Sequence, residues 1–350
     1  MIKKHVTMSD IAAQLGCSTV TVSKALGDKD GVSEQLRQKI KQKANDMGYR
    51  FSYISKTDHQ ALTHNIGVVV AKRFINDASA FYWVVYRSIV ELLQKQSYYG
   101  IMEVVPESDE RSGTVPSSVS EGKVDGVIVL GQFADVYVEK MMMQNIPVVF
   151  LDFYSSRSDV ETVLSDNFFG AYTLTNHIIA KGHRKIGFVG TITATSSIQD
   201  RYMGYYKSLL EHGITLRDDW VIGDRDNEGL SYQSFRLPDE MPTAFVCNCD
   251  RIAYQLINQL TSMGYQVPED ISVAGYDNHI YSTISTPRIT TMDVNSVRMS
   301  SEAVEIMVKK IRDSNYRCGR ILVTGKLVER DSVKDLNAEL KEKSSNDKTD

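Results

Sequence analysis

The chain has 350 residues, 42% of them hydrophobic and 24% charged, with a formal net charge of −4. This is the composition of a soluble globular protein with more than one domain, and no apolar run reaches the length of a membrane-spanning helix. The four cysteines (Cys17, Cys247, Cys249 and Cys318) lack the spacing of a disulfide scaffold, which points to a reduced, cytoplasmic setting.

Charge is unevenly spread. Residues 1–60 carry ten Lys or Arg and six Asp or Glu, so the remainder of the chain holds −8. A basic head on an acidic body fits a nucleic-acid-binding module joined to a sensor domain. The basic Met1–His5 leads into a polar helix, so it is not expected to be a signal peptide. From Thr7 to Leu26 the pattern predicts two short helices joined by a tight turn. Ile11, Ala12 and Leu15 share one helical face, and Val22, Ala25 and Leu26 share another. Gly16 allows the left-handed backbone of the turn, and Ser18 stands where a helix cap belongs. Ser33 and Glu34 open a third helix with Leu36, Ile40, Ala44 and Met47 inward, ended by Gly48. Three such helices make a helix-turn-helix module, with an ordinary small helical bundle as the alternative.

The segments Val6–Ala12, Thr21–Leu26, Gly31–Ser33 and Gly48–Tyr49 resemble the N-terminus of the LacI/GalR family of transcription regulators, and the resemblance runs to about residue 333. It implies that Thr19, Val20 and Lys24 face DNA bases, and that Thr7, Ser18, Ser23, Ser33 and Tyr49 contact phosphates. The family commonly has Arg where Lys24 stands, and a Lys lacks the rigid fork that reads guanine. The implied partners are a near-palindromic operator, a small-molecule effector and a second copy of the chain. In the family the connector carries a hinge helix that wedges a Leu pair into the minor groove. Residues 51–65 are polar with no strong period. Asp58 stands at the wedge position, so minor-groove insertion is not expected, and Tyr53 or Ile54 is the alternative apolar contact.

From Ile66 onward strands and helices alternate. Strands are expected at 66–70, 101–105, 124–130, 148–151, 185–189, 243–247, 271–274, 289–292 and 321–328. Helices are expected at 81–96, 133–143, 168–180, 198–212, 251–263 and 297–311. Such alternation implies right-handed crossovers and parallel, doubly wound sheets. With the resemblance, the expected fold is an N-terminal all-α helix-turn-helix domain (1–50), a linker (51–65) and a two-lobed α/β core like periplasmic binding proteins (66–330). A charged, frayed tail (331–350) follows.

No catalytic constellation is present: there is no Walker loop, no Gly-x-Ser-x-Gly elbow and no His-Glu-x-x-His. Gly187–Gly190 is too short a glycine motif for a dinucleotide site. Cys247 and Cys249 suit neither a zinc knuckle nor a redox pair, and His177 and His183 read as satisfied surface histidines, so neither a cofactor nor a metal is expected. A ligand site in open α/β sheets lies at the carboxyl ends of strands. There stand Asp152 and Asp277, with Phe81 and Tyr82 after the first strand's loop. Arg201 opens Arg201-Tyr202-Met203-Gly204-Tyr205, which matches the family's Arg-x-x-Gly-Tyr. Asp166 and Asn167 read as helix caps. Cys249 replaces a pocket amide in the family's Ala-Asn-Asp pattern. Carboxylates and a guanidinium bind neighbouring hydroxyls, which is sugar chemistry. The sequence therefore predicts a dimeric, non-enzymatic transcription regulator, a repressor of carbohydrate genes. The competing reading is a ligand-binding transport component of the same core fold.

Overall fold

The computed structural model describes residues 7–26, 30–47, 62–75, 81–226 and 234–338, and contacts divide the chain into two units between Leu62 and Thr63. The first unit holds α1 (Met8–Leu15), α2 (Thr19–Leu26) and α3 (Glu34–Asp46). Ile11, Ala12, Val22, Ala25, Ile40 and Ala44 form its buried core. Thr7 caps α1 through a reciprocal box: Asp10 N–H donates to Thr7 Oγ1 at 3.3 Å, and Thr7 N–H donates to Asp10 Oδ2 at 2.7 Å. Gly16 ends α1 at φ 64°, and Ser18 Oγ accepts from Thr21 N–H at 3.0 Å to start α2. The turn is thus set by the left-handed glycine at one end and the Ser18 side chain at the other.

The second unit runs in the order β1 (Asn65–Ala71), α4 (Phe81–Lys95), β2 (Tyr99–Val105), α5 (Glu107–Ser112), α6 (Ser117–Ser120), β3 (Gly126–Leu130), α7 (Asp135–Met142), β4 (Val148–Leu151) and β5 (Glu161–Ser165). The second series is α8 (Asn167–Ala180), β6 (Ile186–Val189), α9 (Ser196–Glu211), β7 (Val221–Ile222), β8 (Ala244–Cys247), α10 (Asp250–Ser262), β9 (Ser272–Asp277), α11 (Ile280–Ile284) and β10 (Thr290–Asp293). The chain closes with α12 (Ser296–Arg312), β11 (Arg320–Val323) and β12 (Lys326–Val328). Two six-stranded sheets result, ordered β11-β5-β4-β3-β1-β2 and β12-β10-β9-β8-β6-β7. Each reverses its winding beside its first strand, between β1 and β3 and between β6 and β8, and each is covered by apolar clusters on both faces.

The chain passes between lobes three times: from β5 to α8, from β10 to α12, and from β11 to β12. The sequence suggested a single strand over 321–328. It is two strands in two sheets, broken at Thr324 and Gly325. A side chain on Gly325 would collide with the Asp293 carbonyl, so the second and third crossings touch there. β12 pairs antiparallel with β10, whereas the other strand pairs among the described residues are parallel. The sequence also missed β5 and β7.

The tail beyond Asp331 is docked rather than frayed as far as Ala338. Ser332 is fully buried and donates to Val273 O at 2.5 Å, and Leu336 N–H donates to Lys181 O at 2.9 Å. His183 is also buried, contrary to the surface position expected of it. It lies 3.0 Å from Thr243 Oγ1 and 3.1 Å from Ser272 Oγ, and burial lowers its pKa. No helix among the described residues is long and apolar enough to cross a membrane.

Candidate functional site

In the first unit, α2 divides by burial. Val22 and Ala25 face the core, whereas Thr19, Val20, Ser23 and Lys24 are exposed, Val20 to 64%. These four positions, spaced i, i+1, i+4 and i+5, form one continuous helical face. Ser33 is exposed just before α3. Thr7, expected on a phosphate, has its hydroxyl held as a cap, donating to Asp10 Oδ2 at 2.7 Å. Ser18 shares its hydroxyl with the α2 cap. Tyr49, and the hinge positions Tyr53, Ile54 and Asp58, lie outside the described residues.

In the second unit, the strand-end residues converge on the cleft between the lobes. Arg201, on α9, is 7% exposed. Its Nε donates to Asn167 Oδ1 at 2.8 Å, its Nη1 to Asn248 O at 2.5 Å, and its Nη2 lies 3.0 Å from Asp277 Oδ1. The guanidinium plane stacks on Tyr276, 3.9 Å from the ring centroid. Three of its five donors are thereby fixed, and the fork has one orientation. The Arg-x-x-Gly-Tyr motif explains how α9 delivers it. A side chain on Gly204 would strike the Phe168 carbonyl and stand 2.8 Å from Tyr172 N, so glycine lets α9 close onto α8, where Asn167 waits. Tyr205 is fully buried and ties α9 to β6 by donating to Ile186 O at 2.8 Å.

The opposite wall comes from the first lobe. Tyr82 Oη donates to Asp152 Oδ2 at 2.8 Å. Tyr82 lies over Gly131, where φ is 79° and a side chain would meet the phenol ring at 2.9 Å. Phe74 and Phe81 pack edge-on to Tyr82 at 5.2 and 5.5 Å. Phe81, which the sequence places beside Tyr82 at the ligand site, packs against the apolar cores of both lobes. Asp152 and Asp277 both hold left-handed backbone, at φ 66° and 97°, a strain that marks sites over-determined by their surroundings.

Burial raises the Asp152 carboxyl to about 6, against the opposing pull of Arg201. Burial and the neighbouring Asp152 raise Tyr82 well above an ordinary phenol, so it remains a donor. Cys249 caps α10 without a side-chain hydrogen bond. Burial pushes its thiol up to about 12, which keeps it neutral.

Sequence reasoning placed Tyr82, Asp152, Arg201, Cys249 and Asp277, and the fold brings them together. It missed three supporting groups. Asn167 read as a cap, but Asp166 caps α8, accepting from Phe169 N–H at 3.2 Å, which leaves Asn167 for Arg201. Asn248 and Asp224 were not singled out; Asn248 Nδ2 donates to Asp224 Oδ2 at 3.0 Å, holding the carbonyl that Arg201 reaches. Both follow strands (β8 and β7), but β7 is not read from the sequence, and a strand end alone does not say which segment each residue meets.

Residues 7–52 match the family described as bacterial regulatory proteins, lacI family, and residues 175–333 match the periplasmic binding protein-like domain. The HTH-type transcriptional repressor PurR of Photobacterium profundum is 29% identical over 337 residues, covering 95% of this chain and 99% of that protein. Among solved structures, a complex of the transcriptional regulator CelR with cellobiose aligns with TM-score 0.66 at 21% identity, covering 94% of this chain and 100% of that one. The lac repressor dimer bound to operator and the anti-inducer ONPF aligns with TM-score 0.63 at 21% identity, covering 95% and 100%. The chain belongs to the LacI family of bacterial regulatory proteins, DNA-binding transcription regulators with a periplasmic-binding-protein-like core.

Proposed function

We propose that the chain is a repressor whose operator affinity is set by a small polar molecule, a sugar, bound in the cleft of the second unit. The observation that carries this is the Arg201 assembly: a buried, fully oriented guanidinium between Asp277 and the facing Tyr82–Asp152 pair. A fixed fork flanked by two carboxyls suits paired hydroxyls, and the rings of Phe74 and Tyr82 offer apolar contact to a sugar face. Operator reading falls to Thr19, Val20 and Lys24, with Ser18, Ser23, Ser33 and Tyr49 on phosphates.

Dimerisation through the core supplies the second half-site reader. The outer face of α4 supports this. Ile75, Trp83, Val84, Tyr86 and Val90, with Arg87 and Glu91, line a surface hollow of about 870 Å³. A two-fold axis through α4 would set Arg87 of each copy against Glu91 of the other.

A thermal-shift panel of mono- and disaccharides, sugar phosphates and nucleobases tests the ligand class, because a ligand selective for the folded state raises its melting temperature. A sugar is expected to shift the core transition and to lower operator binding in a gel shift. A shift from nucleobases alone would overturn the sugar assignment, and no effect of any stabilising ligand on DNA binding would overturn the cleft as the control site.

A further inference from the structure

Besides the ligand anchors, α9 makes a second set of contacts with the facing lobe. Ser196, its first residue, donates its backbone N–H to Gln132 Oε1 at 3.2 Å. A side chain of the first lobe thus satisfies one of the N–H groups that every helix start leaves unpaired. One turn later, Asp200 Oδ1 accepts from Tyr154 Oη at 2.9 Å. Tyr154 belongs to the loop between β4 and β5. The Arg320 guanidinium lies over its ring, 4.5 Å from the centroid, and also donates to Ser155 O at 3.3 Å. Arg320 opens β11, the strand that leads into the third crossing.

Helix geometry separates these contacts from the ligand anchors. Neighbouring residues on a helix point about 100° apart. Arg201 therefore turns inward to Asn167 and Asp277, while Asp200 turns to the other lobe. Two adjacent residues of one helix address two different targets.

We propose that Tyr154, Asp200 and Gln132 form a latch that holds the lobes together without ligand, with Arg320 as the clamp that keeps Tyr154 in place. The latch sets the fraction of the ligand-free chain that is already closed. A ligand that binds the closed cleft has an apparent affinity scaled by that fraction. This consequence rests on the cleft being the effector site; the latch itself does not.

The test is the inter-lobe distance in the ligand-free full chain, by pulsed dipolar electron resonance between nitroxide amino acids introduced at exposed Asp135 and Thr193. Tyr154→Phe removes one hydroxyl and keeps the ring under Arg320. It is expected to raise the open-to-closed ratio about fivefold, the size expected for one hydrogen bond, and to shift the distance distribution to longer values. Asp200→Ala should do the same, and combining it with Tyr154→Phe should add nothing. Asp200→Asn keeps a carbonyl acceptor and should hold the wild-type distribution. Gln132→Ala tests the second contact independently of that pair and should also open the lobes. Distributions that superpose on wild type in folded Tyr154→Phe and Gln132→Ala chains would overturn the latch. Opening in Asp200→Asn equal to that in Asp200→Ala would overturn the Tyr154 hydroxyl as its donor. Neither effector nor operator enters the measurement, so its failure is distinct from failure of the regulatory reading.

Discussion

Asp152 and Arg201 show opposite outcomes of burying a charge. Asp152 is a carboxyl whose folded pKa, about 6, stands above its unfolded value, so burial disfavours its ionised form. The folded state then holds more protons than the unfolded one between about pH 4 and pH 6, and stability falls as pH rises through that window. Asp152→Asn keeps an acceptor for Tyr82 and removes the charge. Chemical denaturation should find the core of the variant more stable than wild type by roughly 1–3 kcal/mol at pH 7, with the difference gone near pH 4. Equal stability at pH 7 would show that Asp152 ionises without cost. Arg201 is instead compensated on every side, and its value lies in geometry. Arg201→Lys retains the charge but loses the fork. It should abolish the ligand-induced thermal shift while leaving operator binding of the ligand-free protein within about twofold, as read by gel shift. Arg201 and Asp277 were legible in the sequence because a motif and a strand end mark them. Asn167 and Asn248 were not, because their roles depend on which chain segments meet, and a local pattern does not encode that.

At the scale of elements, the α8–α9 crossing places Arg201. Gly204 is required there by backbone contact, since the nearest atoms to an added side chain are the Phe168 carbonyl and the Tyr172 amide. Gly204→Ala should therefore force the helices apart and lower the denaturant midpoint of the core by the equivalent of about 1–3 kcal/mol. The separation should also draw Arg201 away from Asn167 and weaken the ligand response more than the loss of stability alone explains. A variant of wild-type stability and response would show that the crossing tolerates a methyl group. The longer helices were legible in the sequence, because the period of buried residues and the caps at Ser18 and Asp166 are local signals, whereas the short α5, α6 and α11 were not. β5 was missed because Glu161, Thr162 and Ser165 are polar yet buried in the sheet, and hydropathy is blind to a polar interior strand.

For the whole molecule, the two-lobed architecture followed from the alternation of strands and helices, but the way the lobes are joined did not. The segment 321–328 looks like one strand because apolar, strand-forming residues stand on both sides of Thr324-Gly325-Lys326. Its division between two sheets is dictated by the close passage at Gly325. The docked tail was likewise hidden, since Ser332 and Leu336 are held by hydrogen bonds from their backbone or hydroxyl to distant segments rather than by an apolar run. The central claim is that α2 reads a specific operator and does so as one half of a symmetric pair. It is tested most directly by selecting binding sites for the full chain from a pool of randomised duplexes, in parallel with Lys24→Ala. The account predicts that wild type enriches a near-palindrome. Lys24→Ala should enrich the same site relaxed at one position in each half, with affinity lowered by about 1–3 kcal/mol. Enrichment of no common sequence, or of a motif that Lys24→Ala leaves unchanged, would contradict it.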